Sequence, residues 1–215
     1  MKNILFTILA FAILSFSNVT AQDNISSSND DTSYSKWQAR FRIISVIPSP
    51  DVDIPGLSEA DLDISTAFTP ELDFTYFFNK NIAAELILGT AKHNVDVAIP
   101  ELDAEVDLGH VWLLPPTLNL QYHFYADGFK PYVGAGVNYT IFYGVDEGDL
   151  NDIEYDNAFG FSLQTGIDYN LNDKWFLNLD IKKLWLKTDV TLDNTTEAEV
   201  DINPLIIGLG VGLKL

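Results

Sequence analysis

Eight stretches of this chain alternate apolar and polar residues with a period of two, a pattern that suits β-strands with two different faces. In Thr117–Phe124 the side chains of Leu118, Leu120, Tyr122 and Phe124 alternate with Thr117, Asn119, Gln121 and His123. The same beat runs through Trp37–Ile43, Leu72–Phe78, Ile82–Leu88, Tyr132–Tyr139, Phe161–Tyr169, Trp175–Lys182 and Leu205–Leu215. After the N-terminal region no segment holds 18 uninterrupted apolar residues, so no transmembrane helix is expected. The spacing predicts an all-β chain of eight strands.

The connectors also alternate. Three are tight: Asn79-Lys80-Asn81, the Ala126–Lys130 turn with its Asp-Gly pair, and Asn170–Lys174. Four are long and acidic, at about Ser49–Ile64, Lys92–His110, Gly144–Asn157 and Thr188–Glu199. In an up-and-down meander, connectors of odd and even rank emerge at opposite ends, so the short turns share one end and the long loops the other. Outer-membrane barrels have this asymmetry. The loops also absorb an unusual charge: 31 acidic residues stand against 12 basic ones, a formal charge of −19, although 47% of residues are hydrophobic. That balance excludes nucleic acid as a partner, since affinity for phosphates is built on basic residues. The absence of cysteine excludes disulfide frameworks, thiolate metal sites and thiol nucleophiles.

A soluble lipocalin-type barrel would put the apolar face inside and the polar face out. Two observations favour the reverse. Trp37, Tyr76, Phe78, Tyr122, Phe124, Tyr139, Tyr169 and Trp175 sit on the apolar faces near strand ends, where membrane barrels carry aromatic girdles. The polar faces hold ionic groups of both signs beside many glycines, which suits a crowded, self-neutralising lumen. The expected fold is an eight-stranded antiparallel up-and-down transmembrane β-barrel. Lys2, the apolar run Ile4–Phe16 and Val19-Thr20-Ala21 read as a cleaved signal peptide over residues 1–21. A flexible polar lead over 22–36 and the barrel over 37–215 follow. The run is shorter than the roughly 20 apolar residues a membrane anchor needs.

Extending the inward phase of each strand divides the lumen. Toward the long-loop end it meets Ile44, Val46, Ile87, Leu113, Phe142, Leu184, Leu186, Ile202 and Ile206. Toward the short turns it meets Arg40, Arg42, Glu71, Asp73, Glu85, Asp168, Asp180, Lys182 and Lys214, with Gln121, His123 and Gln164. Eight strands leave room for side chains or one small ligand. The ionic half is expected to close the barrel through paired charges, and the apolar half to form either a greasy ligand cup or dry packing under the loops.

Several motifs resemble a known family. They are Leu113-Leu-Pro-Pro-Thr-Leu-Asn-Leu-Gln-Tyr-His-Phe124, Pro131-Tyr-Val-Gly-Ala-Gly-Val-Asn-Tyr139, Gly166-Ile-Asp-Tyr169, Asn172-Asp-Lys-Trp-Phe-Leu-Asn178 with Asp180, Asp201-Ile-Asn-Pro204 and Gly208-Leu-Gly-Val-Gly212. Together, from Trp37 onward, the chain resembles the OmpW family of small outer-membrane barrels. The resemblance implies a hydrophobic lumen that passes small apolar molecules. Such barrels usually end in an aromatic residue read by the assembly machinery; this chain ends in Leu215.

Other signals point nowhere further. Gly208–Gly212 imitates a dinucleotide loop but leaves no residues for the helix that must follow. His93 and His110 flank one loop without a third ligand, so neither a metal nor a cofactor is expected. The acidic Asp146-Glu-Gly-Asp149 lacks EF-hand spacing. His123 and Ser162 face inward, yet nothing fixes a nucleophile beside a base, so the chain reads as no enzyme. The expected protein is a monomer in the bacterial outer membrane, in contact with lipid, lipopolysaccharide and the outer-membrane assembly machinery. Its expected function is a conduit or receptor for small hydrophobic molecules; the alternative is a structural or surface-interaction barrel with a sealed lumen.

Overall fold

The computed structural model describes residues 35–215 apart from 55–59, 101–103 and 194–195. The expected signal peptide and most of the polar lead lie outside the described residues. Fourteen strands are present among the described residues: β1 (Trp37–Ile47), β2 (Asp51–Asp53), β3 (Asp61–Ile64), β4 (Ala67–Phe77), β5 (Ile82–Gly89), β6 (Ala91–Ile99), β7 (Ala104–Leu114), β8 (Thr117–His123), β9 (Phe129–Asp146), β10 (Ile153–Tyr155), β11 (Ala158–Asn170), β12 (Trp175–Leu192), β13 (Thr196–Asp201) and β14 (Leu205–Lys214). Eight of them, β1, β4, β5, β8, β9, β11, β12 and β14, pair antiparallel in a ring that β14 closes onto β1. Phe41, for example, lies opposite Val211 on one side and Leu72 on the other. A closed ring leaves no unpaired edge, which is what lets strands cross lipid.

The tight turns are built by their side chains. Asn79 Oδ1 accepts hydrogen bonds from the backbone N–H of Asn81 and Ile82, both at 2.9 Å. Asn172 Oδ1 repeats the device with Lys174 and Trp175, also at 2.9 Å. In the third turn Ala126 and Phe129 bridge around Asp127-Gly128, where Gly128 takes a φ of +75°. All three turns, together with both ends of the ring, lie at one end of the barrel.

The outward face of the ring is a belt of exposed apolar side chains, among them Phe41, Ile43, Leu72, Leu118, Leu120, Val137, Leu163, Leu179 and Leu209. Rings crowd both margins. At the short-turn end Trp37 meets Tyr76 at 4.8 Å between ring centroids, Tyr122 meets Phe124 at 5.0 Å, and Phe129 meets Tyr169 at 4.9 Å. At the other margin Tyr139 packs on Phe159 at 4.7 Å, with Phe159 79% and Phe68 78% exposed. An apolar belt between two aromatic girdles matches a lipid bilayer and its two interfaces.

Beyond the belt, the stretches expected as long loops are largely strand. The barrel wall rises there into two sheets, β2-β13-β12 with β10 beside β12, and β3-β6-β7-β9. Their inner faces form one apolar cluster that includes Leu62, Val95, Val97, Leu108, Val111, Ile153, Val190 and Val200. Their outer faces carry the acid, with Asp51, Asp53, Asp61, Asp63, Asp107, Asp189 and Glu199 exposed. This canopy follows the period-two rule, but its phase breaks in β7 at Gly109, whose φ is +72° and whose side a Cβ would bring to 2.1 Å from the Asp146 carbonyl oxygen. The bulge puts Leu108 and Val111 on the same face.

A charge on the belt tests this arrangement. Leu120 faces outward between Ala84 and Ala135 at mid-span. Leu120→Arg should lower unfolding stability in lipid vesicles by about 2–4 kcal/mol, read from urea titration. An unchanged midpoint would mean that this face does not contact lipid.

Candidate functional site

The lumen has two parts. Its lower part, toward the short turns, is a buried ionic cluster. Arg40 sends Nη1 to Asp73 at 3.1 Å and to Glu85 at 3.2 Å, and Nη2 to Asp168 at 3.1 Å. Arg42, one inward step higher and fully buried, reaches Glu71 at 2.9 Å, Asp73 at 2.5 Å, Glu85 at 3.3 Å and Asp180 at 3.4 Å. Lys182 pairs with Glu71 at 2.7 Å and Asp180 at 3.1 Å. Neutral groups add further donors to the carboxylates, although Asp180 Oδ1 accepts no hydrogen bond among the described residues. Gln121 and Gln164 donate to Glu85 at 2.7 and 2.8 Å, Tyr132 donates to Asp180 at 2.6 Å, and Asn178 donates to Asp168 at 2.8 Å.

The cluster is packed from below and from the side. The rings of Phe77, Tyr132, Phe176 and His123 are buried at the short-turn end, and the Arg40 guanidinium lies 5.5 Å from the Tyr132 ring and 5.4 Å from that of Phe176. Beside the cluster the inward positions of β14, Gly208, Gly210 and Gly212, are glycines because the space belongs to neighbours. A Cβ on Gly210 would stand 2.7 Å from Arg42 Cγ, and one on Gly212 would stand 2.1 Å from the Phe176 ring.

Two of these placements differ from the sequence reading. Lys214, expected in the ionic network, is partly exposed and makes no ion pair among the described residues. It lies below the Phe176 layer, level with the Lys174 turn, where water reaches it. Lys130, left in the turn by the sequence reading, is buried and pairs with Asp168 at 3.3 Å, with its Nζ 4.7 Å from the Phe77 ring. The other eight, Arg40, Arg42, Glu71, Asp73, Glu85, Asp168, Asp180 and Lys182, all join the cluster. Ser162 donates to Asn119, and His123 Nε2 meets Gln121 Oε1 at 2.9 Å, so these two side chains do not pair with each other.

The upper part of the lumen is apolar and holds two narrow cavities, one above the other. The lower is lined by Ile44, Val46, Ile87, Leu184, Leu186 and Ile206, with Glu71 and Lys182 at its base. The upper lies between the canopy sheets against Val95, Val97, Leu108, Phe142, Tyr155 and Val200. Phe142 stacks on Tyr155 at 5.4 Å with planes 15° apart. Leu113, Ile202 and His93 line both and mark their junction. His110 pairs with Asn94, one residue out of phase with His93, so the two imidazoles do not share a face.

The wall beside the lower cavity is interrupted. Pairing of β5 with β8 stops at Ile87 and Thr117, and resumes as β6 with β7 at Ala91 and Leu113. Pro115 and Pro116, which have no N–H to give a ladder, fill one side of the gap. Gly89, Thr90 and Pro115 of this seam also line the cavity.

Comparison with known proteins fits this architecture. A model of the OmpW family matches residues 36–215. The chain belongs to the OmpW family. It is 45% identical over 184 residues to the uncharacterized outer-membrane protein y4mB of Sinorhizobium fredii, covering 82% of this chain and 79% of that one. It is 32% identical over 163 residues to the dibenzothiophene metabolism operon protein PahQ of Pseudomonas aeruginosa, covering 74% and 75%. Among solved structures, the outer-membrane protein OprG from Pseudomonas aeruginosa superimposes with a TM-score of 0.76 at 25% identity, covering 85% of this chain and 96% of OprG. This OmpW-family chain is therefore a bacterial outer-membrane β-barrel, and its short-turn end faces the periplasm.

Arg42 is the centre of the lower cluster, so its removal leaves several carboxylates without a counter-charge. Arg42→Ala should cost about 3–5 kcal/mol of stability in urea titration. Arg42→Lys should restore only part, because an ammonium cannot span Glu71, Asp73 and Asp180 as the guanidinium fork does. A fully stable Arg42→Ala would show that water fills the lower lumen.

Proposed function

We propose that this barrel takes up small apolar molecules from the outside through its upper lumen. The observation that carries the reading is the apolar lining of both cavities, contributed by strands all round the ring and by both canopy sheets. A guest there gains about 25 cal/mol for each Å² of apolar surface removed from water, and meets few polar groups that would have to be desolvated. That PahQ belongs to an operon for dibenzothiophene metabolism agrees with such a guest.

The ionic cluster stands across the direct way to the periplasm. The seam at Thr90 and Pro115 offers the other exit, sideways into the bilayer. There backbone pairing has lapsed, and the Thr90 hydroxyl, bonded to the Leu113 carbonyl at 3.0 Å and to the Tyr143 hydroxyl at 2.5 Å, holds the gap. The acidic outer face of the canopy serves as a hydrated surface, with divalent ions bridging its carboxylates to lipopolysaccharide phosphates.

Leu184 and Phe142 face the two cavities. Cells carrying Leu184→Asp or Phe142→Asp, at surface levels matched to wild type, should admit an apolar fluorescent probe at least about tenfold more slowly, because the guest would have to strip water from an unpaired carboxylate. Equal uptake by all three would favour a sealed surface barrel instead.

A further inference from the structure

His93 stands at the joint between the two apolar cavities and is 3% exposed. Its Nδ1 lies 2.6 Å from the backbone carbonyl of Ser65. A carbonyl can only accept, so Nδ1 carries the hydrogen, and in the neutral ring Nε2 is left with its lone pair. Burial holds the imidazole below its ordinary pKa range, which keeps it neutral. Among the described residues no hydrogen bond reaches Nε2.

Three hydroxyls that line the same cavities, those of Thr188, Thr117 and Thr69, are engaged elsewhere. Thr188 donates to the Asp156 carbonyl at 2.6 Å, Thr117 to Pro115 at 3.0 Å and Thr69 to Thr90 at 2.5 Å. Nε2 is not one of the enclosed unpartnered atoms of the barrel, so it is open to the cavity. A guest that covers it without offering a donor leaves it unpaired at a cost, and a guest that supplies a donor avoids that cost. A hydrocarbon cannot.

We propose that His93 Nε2 is a specificity-determining acceptor, by which the lumen favours apolar guests bearing one hydroxyl, such as long-chain alcohols and phenols, over matching hydrocarbons. This rests on the uptake reading above, since it requires the guest to enter the cavities. A site with a hydrogen-bonding group in place discriminates against the analogue that lacks the matching group, because the buried acceptor is then left unpaired.

The test compares 2-naphthol with naphthalene on the purified barrel in lipid nanodiscs, with partition into protein-free nanodiscs subtracted. Wild type should bind both, and His93→Leu should reduce the naphthol-to-naphthalene preference about 3- to 10-fold. His93→Gln, which offers a carbonyl oxygen at similar reach, should keep most of the preference. Each variant is checked for folding by its altered migration before and after boiling. In the unsubstituted protein the ¹⁵N resonance of Nε2 should move upfield with naphthol and stay in place with naphthalene, a readout that needs no variant. An unchanged preference in His93→Leu, equal losses for both ligands, or an Nε2 resonance that ignores naphthol would overturn the assignment. Naphthalene binding that persists alongside any of these would leave the uptake reading standing, whereas failure of wild type to bind either ligand would sink both.

Discussion

Lipid offers no partner to a backbone amide or carbonyl, so a sheet that crosses a bilayer has to close on itself. Here the closure is the pairing of β14 with β1, from Gln38–Lys214 to Ile47–Leu205. Closure with eight strands fixes the rest. The interior is only wide enough for side chains or a small guest, and every inward residue is surrounded by other inward residues rather than by bulk water. Inward charges then have to neutralise one another or cost several kcal/mol each.

The chain meets that demand in two ways at two depths. Near the periplasm Arg40, Arg42, Lys130 and Lys182 interleave with Glu71, Asp73, Glu85, Asp168 and Asp180, and amide side chains add further donors to the carboxylates. The glycines of β14 make the width for Arg42 and Phe176. Farther out, Ile44, Ile87, Leu184 and Ile206 replace the ions, and the wall continues into the canopy instead of ending at the membrane surface. A polar, ion-paired base under an apolar chamber follows from this order of residues along each strand.

Much of this was legible in the alternation. Inward and outward phases could be assigned wherever the outward residues were large and apolar, as in β8 and β14, because lipid demands such residues. Legibility failed where that demand stops. In the canopy the outer face meets water and carries Asp96, Asp107 and Asp189, so Val95, Val97 and Val190 looked like apolar residues scattered in an acidic loop. The Gly109 bulge then shifted the phase within β7. Strand ends were the second failure. Lys130 and Lys214 share the inward phase, but Lys130 lies beside Asp168 across one rung of the ladder, whereas Lys214 extends past the Phe176 layer into water. Which lysine finds a carboxylate depends on stagger between strands, which no single strand reveals. His93 was visible as a residue type, but its role depends on the Ser65 carbonyl, 28 positions away.

The claim on which this account rests is that the apolar upper lumen admits a guest while the ionic base remains closed. It is tested most directly by methyl-labelled protein in lipid nanodiscs exposed to a fluorinated hydrocarbon, with guest-to-methyl contacts read by nuclear Overhauser transfer. The account predicts transfer to Ile44, Ile87, Leu184 and Ile206 inside the barrel, in addition to that seen at lipid-facing Leu120 and Leu179. Transfer confined to the lipid-facing methyls would contradict it.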